Sequence, residues 1–165
     1  MQNLKKNLPV FSLLALVFVI GSAFAMVTGR PEVKVSLIGL VTRENKSVSV
    51  EKAGTLNPGE ILNWTITSQN AGTAPAHNYK AIGEIPTGTA YVANSATAEG
   101  NVQIVYSLDD GKTFDAKPMI DQKQPDGSVK KVPAPASMYT QIRYEWNDPL
   151  SEGKQFLASY KVRVK

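Results

Sequence analysis

The chain has 165 residues, a formal net charge of +4 at pH 7 and no cysteine. Without thiols it cannot carry cysteine nucleophiles, cysteine-based zinc sites or iron–sulfur clusters. Its charges are scattered, with Lys130-Lys131 the densest basic point after the first segment. A nucleic-acid binder would show a basic stripe, so no nucleic-acid partner is expected.

The first predicted element is a leader. Lys5 and Lys6 precede an apolar run from Leu8 to Ala25 that ends in Ala23-Phe24-Ala25. A positive start, an apolar middle and an A-x-A end read as a secretory signal peptide cleaved between Ala25 and Met26. The alternative is an uncleaved membrane anchor, since the run extended to Val27 reaches the roughly 20 residues that span a bilayer. In both cases the basic residues stay on the cytoplasmic side and the remainder is delivered outside. Residues 1–25 are therefore set apart as signal peptide or anchor helix, and 26–165 as one domain. Losing Lys5 and Lys6 takes the formal charge from +4 to +2. A domain of this length buries about two thirds of its unfolded surface, which suffices for a core without sulfur or metal.

From Val33 onward the apolar pattern has period two. Val33, Val35 and Leu37 alternate with polar residues, as do Val48 and Val50, then Leu62, Trp64 and Ile66. A short run covers Ile82–Ile85 and another Tyr91-Val92. Val102, Ile104 and Tyr106 follow, then Ile142, Tyr144 and Trp146, and last Phe156, Ala158, Tyr160, Val162 and Val164. Successive strand side chains point to opposite faces, so each run has one apolar face, as in antiparallel sheets covered on one side. Turn signals separate the runs: Asn57-Pro58-Gly59, Asn70-Ala71-Gly72, Pro86-Thr87-Gly88, Asp110-Gly111, Asp126-Gly127 and Glu152-Gly153. About seven to nine short strands without crossover helices predict an all-β, immunoglobulin-like antiparallel β-sandwich. Trp64, Tyr144, Trp146, Phe156 and Tyr160 are its expected bulky core. Ile38, Leu40, Val105 and Leu157 fall on nominally wet faces and are expected to be exposed. The segment from Asp115 to Ser137 carries four prolines and reads as a long Pro-rich loop, with Asp126-Gly127 marking a small hairpin inside it.

Residues Gly54 to Ala98 carry a further pattern: Pro58-Gly59, the strand Trp64–Asn70, Asn70-Ala71-Gly72, the strand Asn78–Ile85, Pro86-Thr87-Gly88 and Tyr91–Ser95. It resembles a prokaryotic family of exported "conserved repeat" domains of unknown function, number eleven of that series. The ending Leu150–Val164 is similar to the family's last strand. The resemblance implies an immunoglobulin-like sandwich on exported bacterial or archaeal proteins, often in tandem arrays. This chain departs from it in holding a single copy, and in having Gly83-Glu84-Ile85-Pro86 where members carry Thr-Asp before Leu-Pro.

Candidate sites are few. Ser107, Asp109, Gly111, Thr113 and Phe114 fit S-x-D-x-G-x-T-aromatic, which resembles the Asp-box of sialidase-type propellers, a hairpin turn remote from chemistry. An aspartate accepting backbone N–H groups beside a glycine explains the motif structurally. Asp109, Asp110 and Asp115 could supply part of a calcium shell, which needs six or more oxygens. His77 is the only histidine, and no G-x-S-x-G elbow exists to partner it. Paired carboxylates run glycosidases; Glu84 and Glu145 sit on different runs and could approach one another, a pairing that any chain with many carboxylates offers. Asn45 and Asn63 begin N-x-[ST] sequons.

The expected function is that of an exported, non-catalytic interaction or structural module, periplasmic, cell-surface or secreted, with no cofactor and an unknown envelope protein or glycan as partner. It would touch the membrane only through an uncleaved N-terminal segment. The alternatives are a small secreted glycan-acting hydrolase and a calcium-binding accessory domain.

Overall fold

The computed structural model describes residues 29–165. The expected leader and its expected cleavage residues Ala23, Ala25 and Met26 lie outside them. The described chain is all-β, with eleven strands and two single-turn 3-10 helices. The strands are β1 (Val33–Arg43), β2 (Lys46–Ser49), β3 (Ile61–Asn70), β4 (Lys80–Glu84), β5 (Thr89–Tyr91), β6 (Thr97–Ala98), β7 (Val102–Ser107), β8 (Met119–Lys123), β9 (Val129–Pro133), β10 (Gln141–Trp146) and β11 (Gln155–Val164).

The larger sheet runs β2-β1-β3-β11-β5, with β6 also on β11; the smaller runs β4-β10-β7, and β8 pairs only with β9. Every pairing is antiparallel. Nine strands thus form the two sheets, and the other two form a separate ribbon. That ribbon is the hairpin expected at Asp126-Gly127, and it takes up much of the long loop expected between Asp115 and Ser137. Pro125-Asp126-Gly127 makes its three-residue turn, with Gly127 at φ +85°, Gly127 N–H donating to Gln124 O at 3.0 Å and Gln124 N–H to Ser128 O at 2.8 Å. Proline presets the first turn position and glycine takes the left-handed one, so the sequence closes a hairpin here despite its weak alternation.

The apolar faces of the two sheets meet in one core. Val41, Leu62, Ile66, Ala158, Tyr160 and Val162 come from the larger sheet, and Ala81, Ile142, Tyr144 and Trp146 from the smaller. Two tyrosines tie the sheets in opposite directions. Tyr144 OH in β10 donates to Ser159 O in β11 at 2.8 Å, and Tyr160 OH in β11 donates to Glu84 O at the end of β4 at 2.6 Å. Tyr160 passes so close to Gly83 that a Cβ there would overlap its ring. Of the five expected core aromatics, Tyr144, Trp146 and Tyr160 are buried. Phe156 and Trp64 sit at the margin, Phe156 stacked on Trp146 at 4.8 Å between centroids.

Wet faces also differ from expectation at one strand. Ile38 is exposed and Leu40 and Leu157 are half-buried, but Val105 is only 5% exposed. Its cross-strand neighbour is Arg143, whose guanidinium lies 3.9 Å from the centre of the Phe114 ring. Arg143 and the Phe114 ring it stacks on thus lie on the outer face of the smaller sheet beside Val105.

A charged staple fastens the connection between β2 and β3. Arg43 Nε and Nη2 donate to the two carboxylate oxygens of Glu60 at 2.6 and 2.9 Å, while Nη1 and Nη2 donate to Ala53 O and Thr55 O. Asn57 N–H donates to the same carboxylate. The Arg43 hydrogen bonds, then that backbone donor, hold Glu60 at a pKa of about 2.

Candidate functional site

Three places concentrate the polar and apolar features that could serve function. The first is the turn after β7. Ser107 is fully buried, and its Oγ donates to Asp109 Oδ1 at 2.8 Å while accepting from the N–H groups of Asp109 and Gly111. Asp109 Oδ1 accepts Thr113 N–H at 2.9 Å, and Oδ2 accepts Thr113 Oγ1 at 2.7 Å. The threonine hydrogen bonds, and after them that of Ser107, hold Asp109 at a pKa of about 2. Its oxygens are thus spent on the turn. Asp115 Oδ1 likewise accepts Lys117 N–H at 2.7 Å, and Asp110 adopts φ +55° within the turn. Among the described residues no three His, Asp or Glu side chains converge as a metal would require.

Glu60 and Asp109 give the fold an acid-sensitive component. Their folded pKa values lie below the unfolded carboxylate value of about 4, so the stability they add is present above that value and lost as pH falls toward 2. The expected result is a urea midpoint that drops between pH 4 and pH 2 and drops less in Glu60→Gln, measured by tryptophan fluorescence.

The carboxylate pair does not form a catalytic site. Glu145 lies opposite Lys80 and Glu84 opposite Gln141, four residues apart along the strands, which is roughly 13 Å at strand rise. Glycosidases keep their two carboxyl groups within about 9.5 Å. Glu145 is instead bound to Arg143 at 2.5 Å and to Lys80 at 3.4 Å. Burial opposes its ionisation, but those two cations outweigh it and lower its pKa. His77 is exposed, between Ala76, which bridges to Leu150, and Asn78 at φ +52°. The sequon residue Asn45 lies in the tight β1–β2 turn and Asn63 in β3.

The second place is the β8–β9 ribbon, which is exposed along nearly all its length. Its base is fixed by Ala134 N–H donating to Pro118 O at 2.8 Å, with both residues buried, and by the bridge between Tyr106 and Asp115.

The third place escaped sequence reasoning. The smaller sheet is three strands wide and stops at β4, short of β1. Val35 and Leu37 share the inward face of β1 with Val41, yet they are 59% and 53% exposed because nothing packs below them. A cleft of about 400 Å³ opens there, lined by Leu37, Trp64, Ile82, Glu84, Gln141 and Tyr160. The Trp64 indole lies over Gly39, where a Cβ would come within 2.6 Å of Cζ3. Its Nε1 is buried without a hydrogen-bond partner. The one hint in the sequence was the apolar surplus in β1, whose inward side chains outnumber what a three-stranded partner sheet can cover.

Among the described residues no helix is long and apolar enough to cross a membrane. No family model, curated protein or solved structure matches the chain.

Proposed function

We propose that the protein is an exported, non-catalytic, immunoglobulin-like β-sandwich module that binds a protein or glycan of the cell envelope. One observation carries the reading. The carboxylates of Asp109, Asp115 and Glu145 are taken up by turns and ion pairs, while large apolar side chains are left uncovered along one flank. Monomeric surfaces seldom expose contiguous apolar patches unless a partner uses them.

Export is supported by Lys5, Lys6, the apolar run and the Ala23-Phe24-Ala25 end. The immunoglobulin-like assignment is supported by two facing antiparallel sheets, by a chain that passes from β3 in one sheet to β4 in the other, and by the resemblance over Gly54–Ala98 to single units of the conserved-repeat family. The ribbon is the natural second contact arm, since it is anchored at its base and free along its length.

Fractionation of expressing cells tests the reading. The protein should be found outside the cytoplasm, with a mature N-terminus at Met26 by mass spectrometry. The processed protein should release no reducing sugar from cell-wall glycans. Hydrolysis that disappears in Glu145→Gln would overturn the non-catalytic assignment, and an intact cytoplasmic chain would overturn the location. Replacing residues 120–132 by a short glycine linker should leave the unfolding midpoint nearly unchanged, because this deletion spares the buried Pro118 and Ala134.

A further inference from the structure

We propose that the free edge of β4 accepts one extended peptide strand of a partner protein, antiparallel to β4 and beneath β1. The inference rests on reading the protein as a binding module and names the site and the chemistry of its ligand.

Backbone direction sets the first requirement. Tyr79 O accepts Trp146 N–H and Ile85 N–H donates to Thr140 O, so the odd residues of β4 turn their amides toward β10. Groups alternate along a strand, so Lys80, Ile82 and Glu84 turn theirs to the open side. No strand pairs there among the described residues. Of these groups only Glu84 O is engaged, by Tyr160 OH. The edge therefore offers three N–H donors and two unengaged carbonyls, the pattern used in β-strand addition.

Shape sets the second. The larger sheet extends past β4 through β1, so whatever pairs with β4 must fit beneath β1. A single strand fits. It would make the smaller sheet four strands wide and cover Leu37, Val35 and the cleft beside Trp64.

Charge sets the third. Lys80, Ile82 and Glu84 share the outer face of β4. Glu84 forms no ion pair among the described residues, whereas Lys80 has Glu145. Directly opposed residues share a face, and opposite charges there are favourable while like charges are not. An antiparallel ligand then places a basic residue opposite Glu84, an apolar β-branched residue opposite Ile82 and an acidic residue opposite Lys80. The two positions between them face Gly83 and Ala81 and point inward to the cleft, where apolar side chains are required. The ligand class is an extended segment of the form basic–apolar–apolar–apolar–acidic, read from its N-terminus.

The acetylated, amidated peptide Lys-Val-Ile-Val-Glu is the probe, titrated by NMR into the ¹⁵N-labelled protein isolated in its processed form. Saturable binding is expected below about 1 mM, the weak end of measurable affinities. The amides of Lys80, Ile82 and Glu84 should shift and exchange more slowly with solvent. N-methylation of the first, third and fifth peptide amides, which point at β4, should abolish binding, while N-methylation of the second and fourth should leave it within about threefold. The charge-reversed peptide Glu-Val-Ile-Val-Lys should bind roughly tenfold more weakly. Leu37→Lys should weaken the probe by a similar factor, and Val129→Lys on the remote ribbon should not. No saturation by about 1 mM, or equal affinity for the two N-methylated series, overturns the proposal. Either outcome leaves the tests of location and non-catalytic character standing separately.

Discussion

Asn70→Ala is expected to lower the free energy of unfolding by about 3–5 kcal/mol, read as a fall in the denaturant midpoint with an unchanged slope. Asn70 closes β3 and is fully buried. Its Oδ1 accepts Glu32 N–H at 3.2 Å and Gly72 N–H at 3.0 Å, and its Nδ2 donates to Ala74 O at 2.7 Å and Leu150 O at 2.9 Å. One side chain thus joins the segment before β1, the loop from Thr73 to His77 and the connection between β10 and β11. Alanine removes four hydrogen bonds and leaves main-chain groups without partners, which costs more than the bonds themselves contribute. Asn70→Asp is a sharper probe. It keeps the shape but sets a carboxylate against two carbonyl oxygens. Burial and those oxygens favour the neutral acid, so its folded pKa rises above the unfolded value of about 4. The variant should be least impaired below pH 4 and lose stability as pH rises through the folded pKa. A pH-independent deficit would show that the Nδ2 donors matter less than the geometry indicates.

Tyr160→Ala is expected to cost a further amount of the same order, about 3–5 kcal/mol, from the cavity left by a large core aromatic. Tyr160→Phe separates the ring from the hydroxyl and should cost about 1–2 kcal/mol through the lost bond to Glu84 O. The same residue gives the protein a base-sensitive component. Burial, foremost, raises the pKa values of Tyr144, Tyr160 and Tyr106 far above the ordinary phenol. Their folded values exceed the unfolded value of about 10, so the stability they add is complete below pH 10 and is lost as pH climbs above it. Absorbance near 295 nm should report phenolate appearing together with unfolding. Tyrosines that titrate freely in a folded protein would contradict the burial.

Much of the fold was legible because one physical signal, alternation, ran nearly unbroken through the strands that became β3, β7, β10 and β11. Where the signal failed, the reason is local. β1 continues to Arg43 through Leu40 and Val41 because Glu44 and Asn45 adopt φ +48° and +62° and close a tight hairpin, although glutamate gives no hint of a left-handed turn. The turn of the β8–β9 hairpin was marked by Asp126-Gly127, but its strands were not, because the ribbon has no covered face and a strand solvated on both sides needs no apolar period. Val105 was misplaced because its outer face carries the Arg143–Phe114 stack, and Phe114 arrives from a turn rather than from the sheet. The turn after β7 could be read from its residues alone, since the bonds that Ser107 Oγ and the Asp109 carboxylate make lie within seven positions, although Thr140 braces it from outside. The cleft could not. It arises from the unequal widths of two sheets, a property of topology that no single strand carries.

That inequality has a consequence for how the protein must be handled by the cell. From Val33 to Thr42 the only charge is Lys34, and the first half of β1 borders solvent with its apolar side chains bare. Short β-prone stretches of low charge are the usual seeds of cross-β stacking, and here such a stretch is offered by the native state, not only by a partly unfolded one. An extended ligand bound along that flank, as proposed above, would therefore also guard the protein against fibrils.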